Sequence, residues 1–191
     1  MPLLGREELL HALRALDEEL GKVGIRGEVF VVGGAAMALA YDVRRSTVDV
    51  DAVFAPSAEV RKASRAVSDR LGLEADWLND AAKAFLPGDD PDRVGVYEGP
   101  HLSVAAASPR FLLAMKLLAA RVERDTDDIR ALYKMCSFEN AEDGIDLVEK
   151  AYPAAIIPPR TQFLLQELFP AREQKRAEDR LRRHEGPDLG L

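Results

Sequence analysis

A single cysteine, Cys136, stands among 191 residues, so no disulfide can close within the chain, and a reducing compartment is the expectation. Cys136 lacks a Cys-His-Asn context and reads as structural. Histidine is scarce too: His11, His101 and His184 are too scattered to form a metal cluster of the imidazole type. The longest apolar run, around Val29 to Tyr41, falls short of the ~20 residues that cross a bilayer, so no membrane helix is expected. Near the start, acidic residues follow Arg6 within a few positions and no continuous apolar segment appears, which argues against a secretory signal. Together these absences favour a cytoplasmic protein. Positive charge is also in deficit. A net charge of −7 weighs against a surface built to coat nucleic acid, because phosphate binding depends on positive charge. One local exception is Arg172 to Arg183, where six basic residues face Glu173, Glu178 and Asp179. It reads either as a basic patch or as a solvated helix laced with i,i+4 pairs.

What is present is ordinary globular material: 47% hydrophobic and 31% charged residues, enough for a sizeable core in one domain with an appended lobe. Leu9, Leu10, Leu13, Leu16 and Leu20 recur at helical spacing and predict an amphipathic helix ending near Gly21 and Gly24. Val29 to Val32 is a short β-branched run feeding Gly33-Gly34, a buried strand entering a turn. Ala35 to Tyr41 is rich in helix formers. From Thr47 to Ala55 polar and apolar residues alternate, which predicts a second strand with Val48, Val50, Ala52 and Phe54 on one face and Thr47, Asp49 and Asp51 on the other. Ser57 is positioned to cap a helix reaching Leu71, and Gly72 to end it. The stretch from Trp77 to Asp92 carries no clear period. Arg93 to Tyr97 and His101 to Ala106 read as strands joined through Gly99-Pro100. After Ser108-Pro109, an N-cap followed by proline at the first helical position, the pattern is helical, with segments expected at 109–124, 127–136, 141–151, 160–169 and 171–184. The expected architecture is α+β: a core over 1–107 with a small mixed sheet and flanking helices, then a helical lobe over 108–191.

Residues i and i+2 of a strand point the same way, roughly 7 Å apart, so Asp49 and Asp51 present two carboxylates to one volume. That volume suits a divalent cation, since magnesium takes one or two protein carboxylates and fills its remaining positions with phosphate oxygens and water. Gly33 and Gly34, lacking side chains, let backbone N–H groups and the following helix N-terminus approach phosphates. Arg45, just before the strand, can hold a phosphate, and Thr47 can donate a hydrogen bond on the carboxylate face. A lone Gly-Gly is more often a turn, and alternating acids often mark the solvent face of a strand. Their order here, strand, Gly-Gly, alanine-rich helix and Arg-x-Thr-x-Asp-x-Asp strand within about twenty residues, is what favours a metal and phosphate site.

The run Val31-Val32-Gly33-Gly34-Ala35-Ala36-Met37 through Arg45-Ser46-Thr47-Val48-Asp49-Val50-Asp51 resembles the opening motif of the DNA polymerase β-type nucleotidyltransferase superfamily, specifically its AbiEii- and MenT-like toxin branch. Ala114 to Arg121, with Lys116, and Arg124 to Ile129, with Asp128, are similar to the later lysine and aspartate of that branch. The resemblance implies a nucleotidyltransferase fold in which Asp49 and Asp51 bind magnesium, Thr47 assists at the phosphates, Lys116 neutralises triphosphate charge and Asp128 supports that lysine or a base. It further implies transfer of a nucleotide from a nucleoside triphosphate to RNA, at the 3′ end of transfer RNA, by a toxin restrained by a cognate antitoxin.

Lys116 lies at the edge of the stripe Phe111, Leu112, Met115, Leu118, Ala119 and Val122, where a long side chain can reach a cleft or merely snorkel. In an unbroken helix, twelve residues at about 100° leave Lys116 and Asp128 about 120° apart, so their cooperation needs a bend, expected near Asp125-Thr126. Two departures from the superfamily stand out. Gly34 replaces a common serine, and the third carboxylate many polymerases place on a later strand has no evident counterpart; Glu98 and His101 lie in the right region but fit no motif. Other readings are a small-molecule nucleotidyltransferase of the antibiotic-modifying kind, an inactive protein-binding module on the same fold, and a glycosyltransferase using Asp-x-Asp to hold a nucleotide sugar.

Overall fold

The structure, a computed structural model, describes residues 3–42, 46–119 and 121–170. The chain divides into two compact units, Met1–Met115 and Lys116–Leu191. The expected boundary at 107/108 marks the start of a helix, Pro109–Ala119, whereas the division falls inside that helix. Its first turns belong to the first unit because Phe111 packs edge-on against Phe30 of the sheet, with ring centroids 5.5 Å apart.

In the first unit the order is α1 (Arg6–Lys22), β1 (Gly27–Val31), α2 (Gly33–Ala40), β2 (Val50–Ala55), α3 (Ser57–Leu71), β3 (Leu78–Asn79), a 3-10 turn (Ala81–Phe85), β4 (Val94–Glu98), β5 (Leu102–Ala106) and the first part of α4 (Pro109–Ala119). The leucine spacing of α1 buries Leu9, Leu13, Leu16 and Leu20, each contributing about 1.5–3 kcal/mol by removal from water. The five strands form one mixed sheet in the order β3-β2-β1-β5-β4. β1 lies between antiparallel β2, with Val31 opposite Ala52, and parallel β5, with Val31 opposite Ala106. β4 and β5 form the expected antiparallel pair across Gly99-Pro100. A mixed α+β fold is therefore what the chain adopts.

Local details differ from the sequence pattern in four places. α2 begins at Gly33 itself, which adopts φ +64, a left-handed value glycine accepts without steric cost. Ser57 is the first helical residue of α3 and Pro56 occupies the N-cap position, so Ser57 caps nothing; Gly72 does end the helix in the left-handed region. β2 starts at Val50, because Thr47 is tied to Leu4 by backbone hydrogen bonds of 2.7 and 2.9 Å in an isolated antiparallel bridge. Thr47 and Asp49 thus precede the strand ladder. Finally, β3 exists where no period was visible: the Val50 N–H donates to the Trp77 carbonyl at 2.6 Å, and the buried Trp77 indole donates to the Ser64 carbonyl at 3.0 Å.

The second unit contains the end of α4, then α5 (Val122–Met135), α6 (Ala141–Ala151) and α7 (Pro159–Leu168). Asn140 and Asp143 form a capping box at the start of α6. Tyr133 stacks on Phe169 at 3.7 Å and meets Phe138 edge-on, joining α5 to the end of α7. The Thr161 hydroxyl donates to the Leu117 carbonyl at 2.9 Å, which ties α7 to the end of α4. The helix expected at 171–184, and the basic run within it, lie outside the described residues. No described helix is long and apolar enough to cross a membrane.

Candidate functional site

Geometry brings the two halves of the glycine–aspartate motif together. β2 runs antiparallel to β1, so its first residues stand beside the end of β1, where Gly33 opens α2. A Cβ placed on Gly33 would lie 3.3 Å from Asp51 Oδ2, so the missing side chain is what lets this carboxylate sit against the helix start. The N-cap residue of α2, Val32, offers no side-chain cap, and its N–H instead donates to the Asp51 carbonyl at 2.8 Å. The first N–H groups of any helix lack intrahelical partners and carry the positive end of its dipole. Gly33 and Gly34 therefore place an anion-attracting helix terminus beside an aspartate, the layout by which a cation and a phosphate can share one site.

Asp49 and Asp51 are both partly exposed, Asp49 in the bend just ahead of the strand and Asp51 within it. The buried Thr47 hydroxyl donates to the Asp49 backbone carbonyl at 3.1 Å, fixing the bend that aims Asp49. Arg45 lies outside the described residues. On the other side, β3 runs parallel to β2 with Asn79 beside Asp51 in register, and the Asn79 amide donates to Asp49 Oδ2 at 3.4 Å. Asn79 escaped the sequence reading because a strand of two residues shows no period. The only available signal was an amide directly after a bulky apolar pair, Trp77-Leu78.

Glu98 and His101 fall at the opposite end of the strands, near the start of β1 rather than its end. There Glu98 pairs with Arg26, and the His101 backbone N–H donates to Asp17 at 2.7 Å. Burial, helped by the hydroxyl's bond to Asp17, pushes the Tyr97 phenol up from its ordinary range. This cluster ties α1 to the β4–β5 turn, a structural use of its acids.

Within the second unit, Lys116 Nζ lies 2.8 Å from both Asp125 Oδ1 and Asp128 Oδ2. All three are buried, at 8%, 5% and 5% exposure. Lys116 and Asp128 do meet, as expected, but α4 ends at Ala119 and α5 begins at Val122, so the change of helix comes before Asp125-Thr126 rather than near it. Arg121 takes the N-cap position of α5, and its carbonyl accepts from the Asp125 N–H at 2.9 Å. Asp125 was thereby missed as a partner of Lys116. Its i,i+3 spacing from Asp128, which puts both carboxylates on one helix face, was the usable signal.

Among the described residues no group of three or more histidine, cysteine or acidic side chains could hold a metal ion. A donor set of two carboxylates still fits magnesium, an ion that retains phosphate and water ligands, better than a zinc or calcium cage.

A mixed sheet with Gly-Gly at the end of one strand and Asp-x-Asp at the start of its antiparallel neighbour fits the nucleotidyltransferase class. Residues 11–154 match the family described as "nucleotidyltransferase of unknown function (DUF6036)", and the chain belongs to that family. Membership implies a nucleoside triphosphate as the nucleotide donor. Comparison with curated proteins and with solved structures returns no match.

Proposed function

We infer that the protein is a magnesium-dependent nucleotidyltransferase that moves a nucleotide from a nucleoside triphosphate to the 3′ hydroxyl of an RNA. The observation that carries the inference is the Asp51 carboxylate lodged against Gly33 at the start of α2, with Asp49 two residues before it. In the reaction the acceptor oxygen forms a bond to the α-phosphorus, the bond to the bridging oxygen breaks, pyrophosphate leaves and the acceptor proton passes to solvent. Magnesium, when bound, neutralises charge on the phosphates and on the leaving group. Asp49 and Asp51 hold that ion, Gly33 and Gly34 direct backbone N–H groups towards phosphate oxygens, and Thr47 keeps the Asp49 bend in place. Lys116, whose ammonium is held by Asp125 and Asp128, takes by the resemblance the role of neutralising triphosphate charge. Asp128 then acts by orienting Lys116.

Transfer RNA as acceptor, and a toxin role under a cognate antitoxin, rest on the resemblance to the AbiEii- and MenT-like branch. Incubation with magnesium, each labelled nucleoside triphosphate in turn and total RNA is the direct test. Label entering RNA of transfer-RNA size, and lost on Asp49→Ala, is the expected result. No transfer from any nucleotide, or undiminished transfer by Asp49→Ala, would overturn the proposal. Expression should arrest growth, and Asp49→Ala should relieve it; equal arrest by the variant would remove the toxin role from this site.

A further inference from the structure

The third strand bordering the aspartate site carries an amide where a third carboxylate would complete a metal cage. β3 places Asn79 beside Asp51 in register, and its side chain reaches Asp49. The orientation of that amide is fixed chemically: Asn79 Oδ1 accepts from the Ala81 N–H at 3.0 Å, so the NH2 end must be the one facing Asp49 Oδ2 at 3.4 Å. An NH2 group donates and cannot ligate a cation. Its position is nonetheless that of a ligand, because neighbouring oxygens around an octahedral ion with bonds of about 2.1 Å stand roughly 3 Å apart.

We propose that Asn79 is a positioning residue that fixes Asp49 through Oδ2 and keeps the site to two carboxylates, so that the chain holds its cation firmly only together with the phosphates of the nucleotide. The proposal rests on the metal reading of Asp49 and Asp51. Asp49 offers the ion Oδ1, oriented by the amide on its other oxygen, and the ligand positions that a third carboxylate would fill are left to triphosphate oxygens and water. Metal and nucleotide then bind as a pair, and the apo site avoids the repulsion of three carboxylates in one volume.

Manganese binding to the full chain without nucleotide, read by electron paramagnetic resonance, tests this. Asn79→Asp preserves the acceptor used by the Ala81 N–H but sets an oxygen at ligand spacing from Asp49. It should bind Mn2+ about tenfold or more tightly than wild type, and the gain should vanish in Asp49→Ala/Asn79→Asp. If Asn79 serves only its turn, Asn79→Asp binds Mn2+ as wild type does, and that result overturns the proposal. Asn79→Ala provides a second route should the aspartate variant fold poorly. It should raise the magnesium concentration for half-maximal transfer about tenfold with kcat little changed; an unchanged requirement would also overturn the proposal. The underlying reading is judged separately. Active wild-type transfer with an indifferent Asn79 removes this inference alone, whereas absence of transfer removes the nucleotidyltransferase reading while leaving an Asp49-dependent gain in Mn2+ binding as a property of the site.

Discussion

Two pairs of aspartates, one in each unit, are treated in opposite ways by the fold. Asp49 and Asp51 stand at the start of β2, partly exposed; the Asn79 amide reaches Asp49, and Asp51 sits against a helix opening at a glycine. Asp125 and Asp128 stand on one face of α5, buried, and close on the ammonium of Lys116. Buried carboxylates need an internal cation because the cost of leaving water is not otherwise met. Partly exposed ones can recruit a cation from outside. The difference separates an aspartate pair whose charge is met by a buried ammonium from one open to solvent.

The largest way to break this contrast is to remove the ammonium. Lys116→Met leaves two buried carboxylates facing each other and should cost about 3–5 kcal/mol of stability, read from urea denaturation. Lys116→Met combined with Asp125→Asn and Asp128→Asn should recover much of that loss, since no uncompensated charge remains buried. Asp51→Ala, by contrast, should leave stability nearly unchanged while transfer falls by about a thousandfold, equivalent to ~4 kcal/mol in the barrier. A Lys116→Met protein as stable as wild type would show that the second pair is no keystone.

A smaller effect separates backbone strain from crowding of the site. Gly33 and Gly72 both hold left-handed φ values, +64 and +67, but a Cβ at Gly72 meets nothing within 4 Å whereas one at Gly33 meets Asp51 Oδ2 at 3.3 Å. Alanine at either position should cost about 1–2 kcal/mol through the backbone alone. Only Gly33→Ala should also weaken Mn2+ binding and transfer, because its methyl group pushes on the carboxylate. Equal losses of transfer in the two variants would detach Gly33 from the site.

The same contrast explains which parts were legible in the sequence. Local signals were sufficient where chemistry is local: β1 ends just before Gly33-Gly34, Gly72 stops α3, the Ser108 hydroxyl oxygen accepts from the Phe111 N–H at 3.4 Å as an N-cap, and Asp51 follows from alternation along β2. Long-range determinants were not legible. β3 is two residues long and becomes a strand only because β2 pairs with it, so neither Asn79 nor its hold on Asp49 leaves a pattern. Asp125 was hidden by helix phase. On a continuous helix, nine residues put it about 180° from Lys116, and the change from α4 to α5 resets that phase. Thr47 and Asp49 looked like strand because alternation continues through them, while the bridge to Leu4 holds Thr47 outside the sheet.

The smallest expected effect concerns how the second unit guards its interior against charge at high pH. Burial pushes the Tyr152 phenol from its ordinary 10.0 up to about 12, and burial likewise raises Tyr133. The neutral form is therefore the one the fold stabilises. As pH rises past about 10 the unfolded chain releases the Tyr152 proton while the folded chain retains it, so stability must fall with pH until the folded group ionises near 12. Below about pH 10 the contribution is complete, and no acid-side effect follows from this group. Tyr152→Phe cannot ionise, so its melting temperature should decline less steeply than that of wild type above about pH 10, with the two curves parallel from about pH 8 up to that point. Parallel curves throughout would mean that the Tyr152 hydroxyl is as well solvated when folded as when unfolded. The second unit would then tolerate a new negative charge at Tyr152, and its exclusion of unpaired charge would be confined to the aspartates gathered around Lys116.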